Sequence, residues 1–401
     1  MTSTGGLLPS CWSPFPVWWY RSASSWWRSW HWQPATRGLA ATASMSSSSS
    51  PGTSVRCGAS GEPRLAAAAG PPRAAINDRL LSACDGPKGS TPLHEEVRQN
   101  LEHLWQYGGN RDGKTPGRRP DWILIRPPFL MQQPDTDHGP VLPRLVPARG
   151  LPLRLELFML FDAQCRYGPE DRVRIGRTFE DVEAHAPIKS WQKVVLSDTS
   201  SEYRNAAALR GRQIKDALCV LYKQHLVDIG PDKSRGRRDL DRITLLSEAS
   251  TPVNRPKYTV PTAGLYVSRH FFTSLWVFAL TNIEIATFLA LSARRASFPN
   301  AHNASSVFVV QKHRGHFGLK DNTWRRARDL HTYGLVDRVN DPHRDSGNGR
   351  ISDFGARWKK REVMPTRFTI VDSVMEQPAV PTIDRVLNNP TSEDQLRQWF
   401  G

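Results

Sequence analysis

Lys320, Asn322, Thr323, Arg325, Arg326 and Arg328 fall within nine consecutive residues, with Gly334 closing the segment shortly after. Cations at this density do polyanion chemistry. Guanidinium groups grip phosphate oxygens bidentately, and Arg and Asn side chains pair with the edges of guanine and adenine in a DNA major groove. A second basic set stands earlier, at Arg210, Arg212 and Lys215, followed by Lys233, Arg235, Arg237 and Arg238. A third lies in 340–366 and includes Arg357, Lys359 and Lys360. For a charge run taken alone, the ordinary reading is a solvated helix face.

Other chemistries are sketched more thinly. Gly108 to Thr115 satisfies the spacing G-x-x-x-x-G-K-[ST] of a phosphate-binding loop. Such a loop needs an apolar strand before it and a helix running on from the lysine. Here residues 93–107 read as helical, and Pro116, Gly117 and Pro120 break any helix beyond the lysine. The segment reads as a basic loop, and a nucleotide-dependent enzyme using 108–115 stays as the lesser alternative. Asp135, Asp137 and His138 in a Pro-rich stretch do not add up to a metal site, so no metal and no cofactor are expected. The five cysteines, at 11, 57, 84, 165 and 219, form no C-x-x-C pair, and Cys165 and Cys219 read as small core residues.

The elements that would hold the basic sets are set by periodicity. Leu93, Val97, Leu101, Leu104 and Trp105 predict a helix from Thr91 through Tyr107, and Trp122-Ile-Leu-Ile-Arg126 a strand. The Pro-dense run 127–152 reads as a linker, and the main domain boundary is placed there. Beyond it the chain repeats itself. Leu155-Glu-Leu157 and Ile283-Glu-Ile285 each open an apolar helical stretch, and Leu221-Tyr-Lys-Gln-His-Leu-Val-Asp228 aligns without a gap to Leu330-His-Thr-Tyr-Gly-Leu-Val-Asp337. Each copy then enters a charged loop and a strand, Arg242 to Leu246 in the first and Arg367 to Val371 in the second. In the second copy a helix over 321–333, capped by Asp321 or Asn322, turns Trp324, Ala327, Leu330 and His331 toward a core. Gly334 stops it in a left-handed cap, and a strand covers 335–339. In the first copy the helix runs from Asn205 to His225, with His225 standing where the second copy has glycine.

The run Gly318-Leu-Lys-Asp-Asn-Thr-Trp-Arg-Arg-Ala-Arg-Asp-Leu-His-Thr-Tyr-Gly-Leu-Val-Asp-Arg-Val339 resembles the recognition helix and first wing strand of bacterial winged helix-turn-helix domains. The resemblance covers about twenty-two residues and implies a mainly α protein with small β wings (α+β). It places the helix at 321–333 in a major groove and the hairpin 335–371 against backbone or minor groove. Lys320, Asn322, Thr323, Arg325, Arg326 and Arg328 are then the implied contacts. The loop 340–366 departs from the family in its length, and a basic arm is the other reading of it. Two such modules in tandem resemble one class of plasmid replication initiators, a layout also met in transcriptional regulators. The twelve histidines never form the histidine–hydrophobic–histidine triplet of rolling-circle nicking enzymes.

With 401 residues, 39% apolar, the chain is long enough for two or three domains, and a net charge of +16 points to a polyanionic partner. The 42 Arg against 12 Lys also fit GC-rich coding. The expected layout is a low-complexity arm or mis-started leader over 1–90, with Met45 as a later start, and a helix–strand–linker region over 91–150. Winged-helix domains stand at 151–250 and 265–375, then a tail at 376–401. The greasy stretch Phe271 to Leu291 is broken by Thr281, Asn282 and Glu284 and reads as soluble core rather than a membrane span. The expectation is a cytoplasmic, nucleoid-associated, bacterial, non-enzymatic protein that binds double-stranded DNA. It would work as a replication initiator, or alternatively as a transcriptional regulator, alongside replication or transcription proteins.

Overall fold

The structure is a computed structural model, and it describes residues 92–108, 116–133, 139–148, 150–169, 190–197, 205–231, 238–297, 306–308, 311–339, 351–360 and 366–388, with 171, 173, 175 and 177. The expected arm 1–90, the trio Asp135, Asp137 and His138, and the second half of the tail 376–401, from 389 on, lie outside these residues. Helix α1 (Leu93–Tyr107) buries Val97, Leu101 and Leu104, as its periodicity predicts, and ends on Gly108 in the left-handed region at φ 59. Strand β1 (Trp122–Ile125) comes next, then the short helices α2 (Pro127–Leu130) and α3 (Val141–Leu145).

These two helices correct the linker reading of 127–152. Phe129, Leu130, Val141, Leu142 and Leu145 are all buried. Pro127 sits in the first turn of α2, where proline's missing N–H has no intrahelical partner to lose and its fixed φ suits the helix. Pro152 does the same for α4 (Pro152–Arg166), in which every residue from Pro152 to Cys165 is buried. A helix apolar or enclosed all round belongs at the centre of a core.

The chain continues through α5 (Trp191–Val194), α6 (Ala206–Lys223), β2 (Val227–Pro231), β3 (Arg238–Leu245) and β4 (Leu265–Ser268). Next come α7 (His270–Thr273), α8 (Trp276–Ala279), α9 (Asn282–Ser297), α10 (Gln311–Phe317), α11 (Asp321–Trp324) and α12 (Ala327–Thr332). Strand β5 (Val336–Arg338), helix α13 (Phe354–Lys359), strand β6 (Phe368–Ile370), a 3-10 turn and α14 (Ala379–Asn388) complete it. The stretch Phe271 to Leu291 is split among α7, α8 and α9, and among the described residues no helix is long and apolar enough to cross a membrane.

Among the described residues helices thus predominate, with three two-stranded antiparallel sheets: β1 with β4, β2 with β3, and β5 with β6. The buried apolar residues join in one core that runs from Val97 to Ile383 and draws on both copies of the repeat. It is tied by buried charge as well. Asp162 on α4 takes a hydrogen bond from Arg177 at 2.7 Å and lies 3.3 Å from Arg166, and these cations hold its carboxyl below the usual range against the effect of burial.

Candidate nucleic-acid interface

The internal repeat reappears in hydrogen bonds. At the end of α6, His225 N–H donates to Tyr222 O at 3.1 Å and Leu226 N–H to Leu221 O at 3.0 Å; at the end of α12, Gly334 N–H donates to His331 O at 2.9 Å and Leu335 N–H to Leu330 O at 2.9 Å. Both are Schellman closures, which need a left-handed residue after the helix. Gly334 supplies it at φ 79, and His225 adopts the same region at φ 59 despite carrying a Cβ.

The strands after each closure keep the same register. Val227 faces Leu245 and Asp228 faces Thr244 in the first copy, while Val336 faces Ile370 and Asp337 faces Thr369 in the second. Leu246 N–H then returns to Leu226 O, and Val371 N–H to Leu335 O. On the outer edge of the second strand, Ile175 bridges Ile243 and Val307 bridges Phe368, both antiparallel. Each copy therefore runs helix, edge bridge, short helix, helix, strand, strand: α4, Ile175, α5, α6, β2, β3, and again α9, Val307, α10, α11–α12, β5, β6.

The second copy departs from the expected single helix over 321–333. It is broken at Arg325–Arg326 into α11 and α12, and Lys320, not Asp321 or Asn322, occupies the N-cap position. The break has a cause in α9. The Thr287 hydroxyl is shared between Ile283 O at 2.9 Å and Thr323 O at 2.8 Å, drawing the end of α11 onto α9. Phe317 meets Trp324 edge to face with ring centroids 5.8 Å apart. Tyr333 lies 3.5 Å from the Glu284 carboxylate, which also accepts the Thr281 N–H at 2.7 Å; burial raises the pKa of both groups. Gly318, at φ 60, makes the turn between α10 and α11, where a Cβ would come 3.2 Å from Pro143 Cγ.

These contacts sort the expected DNA-binding residues. Lys320, Arg325 and Arg328 are exposed. Thr323 is 3% exposed and faces inward, so it is corrected to a core residue: Thr287 holds its backbone. Arg326 is half-buried with its guanidinium 2.8 Å from Asp329, an intramolecular pair that takes it out of the grip. Asn322 lies in α11, and its side chain is outside the described residues. In the hairpin loop, Lys359 and Lys360 are exposed, while Arg357 folds back to donate from Nε to Ser352 O at 3.1 Å.

In the first copy Arg212 and Lys215 are exposed, Arg212 lying a loose 3.9 Å from Asp216. Arg210 is a correction. It is half-buried near Glu96 of α1, and desolvation lowers its pKa from the usual arginine value. Gly211 beside it is buried, where a Cβ would stand 3.1 Å from Gln192 Nε2, so the face of α6 that bears Gly211 packs against α5. Lys233, Arg235 and Arg237 lie outside the described residues, and Arg238 opens β3 opposite Pro231.

The other sequence motifs are decided by their neighbours. Gly108 caps α1, and residues 116–120 are irregular before β1, so the order around 108–115 is helix, loop, strand. A phosphate-binding loop requires the reverse. Residues 109–115 themselves are outside the described set. Cys165 is buried as expected, but Cys219 is exposed, since it lies on the solvent side of α6. Among the described residues no three of His, Cys, Asp or Glu are placed to hold a metal ion.

Two features had no place in the sequence reading: Thr287, which fixes α11, and Phe354, an exposed aromatic inside the basic loop. Only the second left a signal, as an aromatic residue three positions before the basic run Arg357 to Arg361. Comparison with family models, curated proteins and solved structures finds no match to this chain.

Proposed function

We propose that the chain binds double-stranded DNA sequence-specifically through two winged-helix modules, 152–246 and 282–371, as a replication initiator of the plasmid type. The observation that carries this is the repeated order of helix, bridge, helix, helix and strand pair, closed by the same cap and register in both copies, with Arg212 and Lys215 exposed on one third helix and Arg325 and Arg328 on the other. In a winged helix that third helix lies in the major groove and the strand pair forms the wing. The tandem arrangement is shared with transcriptional regulators, which stand as the second reading. Transformation of a plasmid bearing only the neighbouring origin, dependent on this gene, separates the two roles.

Phosphate contacts should dominate affinity, so retention on duplex DNA is expected to fall steeply between about 50 and 200 mM salt. Arg325→Ala with Arg328→Ala should weaken binding by about 1–3 kcal/mol for each guanidinium that reads a base, while leaving the unfolding midpoint unchanged. A duplex titration in which this double variant matches the unaltered protein would remove α11–α12 from the interface.

A further inference from the structure

We infer that the segment 247–257, which follows β3, is a third duplex-binding element whose Arg255 and Lys257 meet phosphates, an inference that rests on the duplex-binding reading above. The chain leaves β3 through Leu246 and returns beside it, with Lys257 in an antiparallel bridge to Leu246 and Ser247 N–H donating to Pro256 O at 2.8 Å. Between these bonds it forms a narrow finger. Thr251 N–H donates to Asn254 O at 2.7 Å and Asn254 N–H to the Thr251 hydroxyl at 2.9 Å, which closes the chain over a two-residue tip, Pro252-Val253. Val253 is 97% exposed, and every residue from Pro252 to Lys257 is exposed. A tip held closed by its own hydrogen bonds loses less conformational freedom on binding than a loose one.

Charge supplies the ligand. The charged residues of 247–257 are Glu248, Arg255 and Lys257. Glu248 is buried with Arg126 Nη1 at 2.9 Å, which withdraws it from the surface. The finger therefore presents two cations, and the next charged residues along the chain are Arg242 before it and Arg269 after it. A polyanion fits such a projection.

The finger also stands at a defined place on the first module. The Arg255 guanidinium lies over the Tyr222 ring, 5.9 Å from its centre, in the last turn of α6. Lys223 beside Tyr222 is exposed, as are Arg212 and Lys215 toward the other end of that helix. Arg255 and Lys257 thus carry the basic face of α6 past the end of the helix. Among the described residues of α6, β2 and the finger, the exposed carboxylates are Asp216, 3.9 Å from Arg212, and Asp228. The second module has no such finger. There β6 runs into the 3-10 turn, which packs inward: Met375 is buried, and its carbonyl accepts the Trp276 Nε1–H at 3.2 Å. The two modules are therefore unequal, and the first takes extra phosphate contacts, which set position and affinity without reading bases.

The test uses the full chain and a duplex selected on the unaltered protein from a random pool. Arg255→Ala with Lys257→Ala should reduce the slope of log affinity against log salt by about 2, since each phosphate contact contributes about 0.9, while the preferred bases stay the same. Val253→Asp and Val253→Lys place opposite charges at the tip, where so exposed a side chain has little of the protein to disturb. Both should unfold at the unaltered midpoint, the first binding more weakly than the unaltered chain at low salt and the second more tightly. An unchanged slope, or equal affinities for the two tip variants, overturns the finger contact and leaves duplex binding standing. Failure of the unaltered protein to retain any duplex overturns both.

Discussion

Glu156 and Glu284 occupy matching places in the two copies, and their surroundings set them apart. Glu284 stands three residues after Thr281, so a reciprocal capping box gives its carboxylate a backbone N–H. Glu156 stands deeper in its helix and is fully buried, with neither carboxylate oxygen hydrogen-bonded. Burial first, then the nearby Glu248, push its pKa well above the usual carboxylate value, while Arg144 acts the other way. A raised folded-state pKa means that Glu156 contributes its full stability below the ordinary carboxylate pKa and loses it as pH rises through the raised value. Glu156→Gln should therefore stabilise the protein little near about pH 5 and by about 1–3 kcal/mol near about pH 8. Thermal unfolding across that range checks this, and a gain that does not grow with pH would contradict it.

At the scale of elements, the two helix ends perform one task with different residues. His225 holds a left-handed backbone that costs a residue with a Cβ roughly 1–2 kcal/mol, whereas Gly334 holds it freely. His225→Gly should raise stability by about 1 kcal/mol, and Gly334→Ala should lower it by a similar amount. The second cost would be conformational alone, since the nearest atom to a Cβ at Gly334 is Val374 Cγ2 at an ordinary 3.7 Å. Denaturant midpoints of the two variants should move in opposite directions. The hydrogen bond from Thr287 to Thr323 shows the complementary point. One buried hydroxyl on α9 decides where the following helix breaks, and so which arginines face solvent.

For the whole molecule, the core is shared rather than divided. Helix α9 of the second copy packs near α2, α3 and β4, and Gln132 N–H in the Pro-rich segment donates to His316 O of α10 at 2.8 Å. Two copies joined through one apolar cluster should unfold in a single step. Leu160→Ala in the first copy and Leu289→Ala in the second should each cost about 2–5 kcal/mol and shift the same transition. Two separable transitions in calorimetry, each answering to only one of these substitutions, would show that the copies melt independently.

The sequence alone determined the repeat, the helix expected from Asn205 to His225 and found over Ala206–Lys223, the left-handed stop at Gly334, the strand pairs after each stop, and the stock of basic residues. These depend on local periodicity, on glycine's backbone freedom and on charge, which need no distant partner. It did not reveal that the prolines of 127–152 start helices, because the same residue breaks a helix or begins one according to what it packs against. Nor did it separate Arg325 and Arg328, which face solvent, from Thr323, Arg326 and Arg210, which do not. Those assignments were made by tertiary contacts: a hydroxyl on α9, an aspartate one turn away, and the face of α6 that meets α1 and α5. Burial of a polar side chain is settled by groups brought in from elsewhere in the chain, and spacing along one helix carries no record of them.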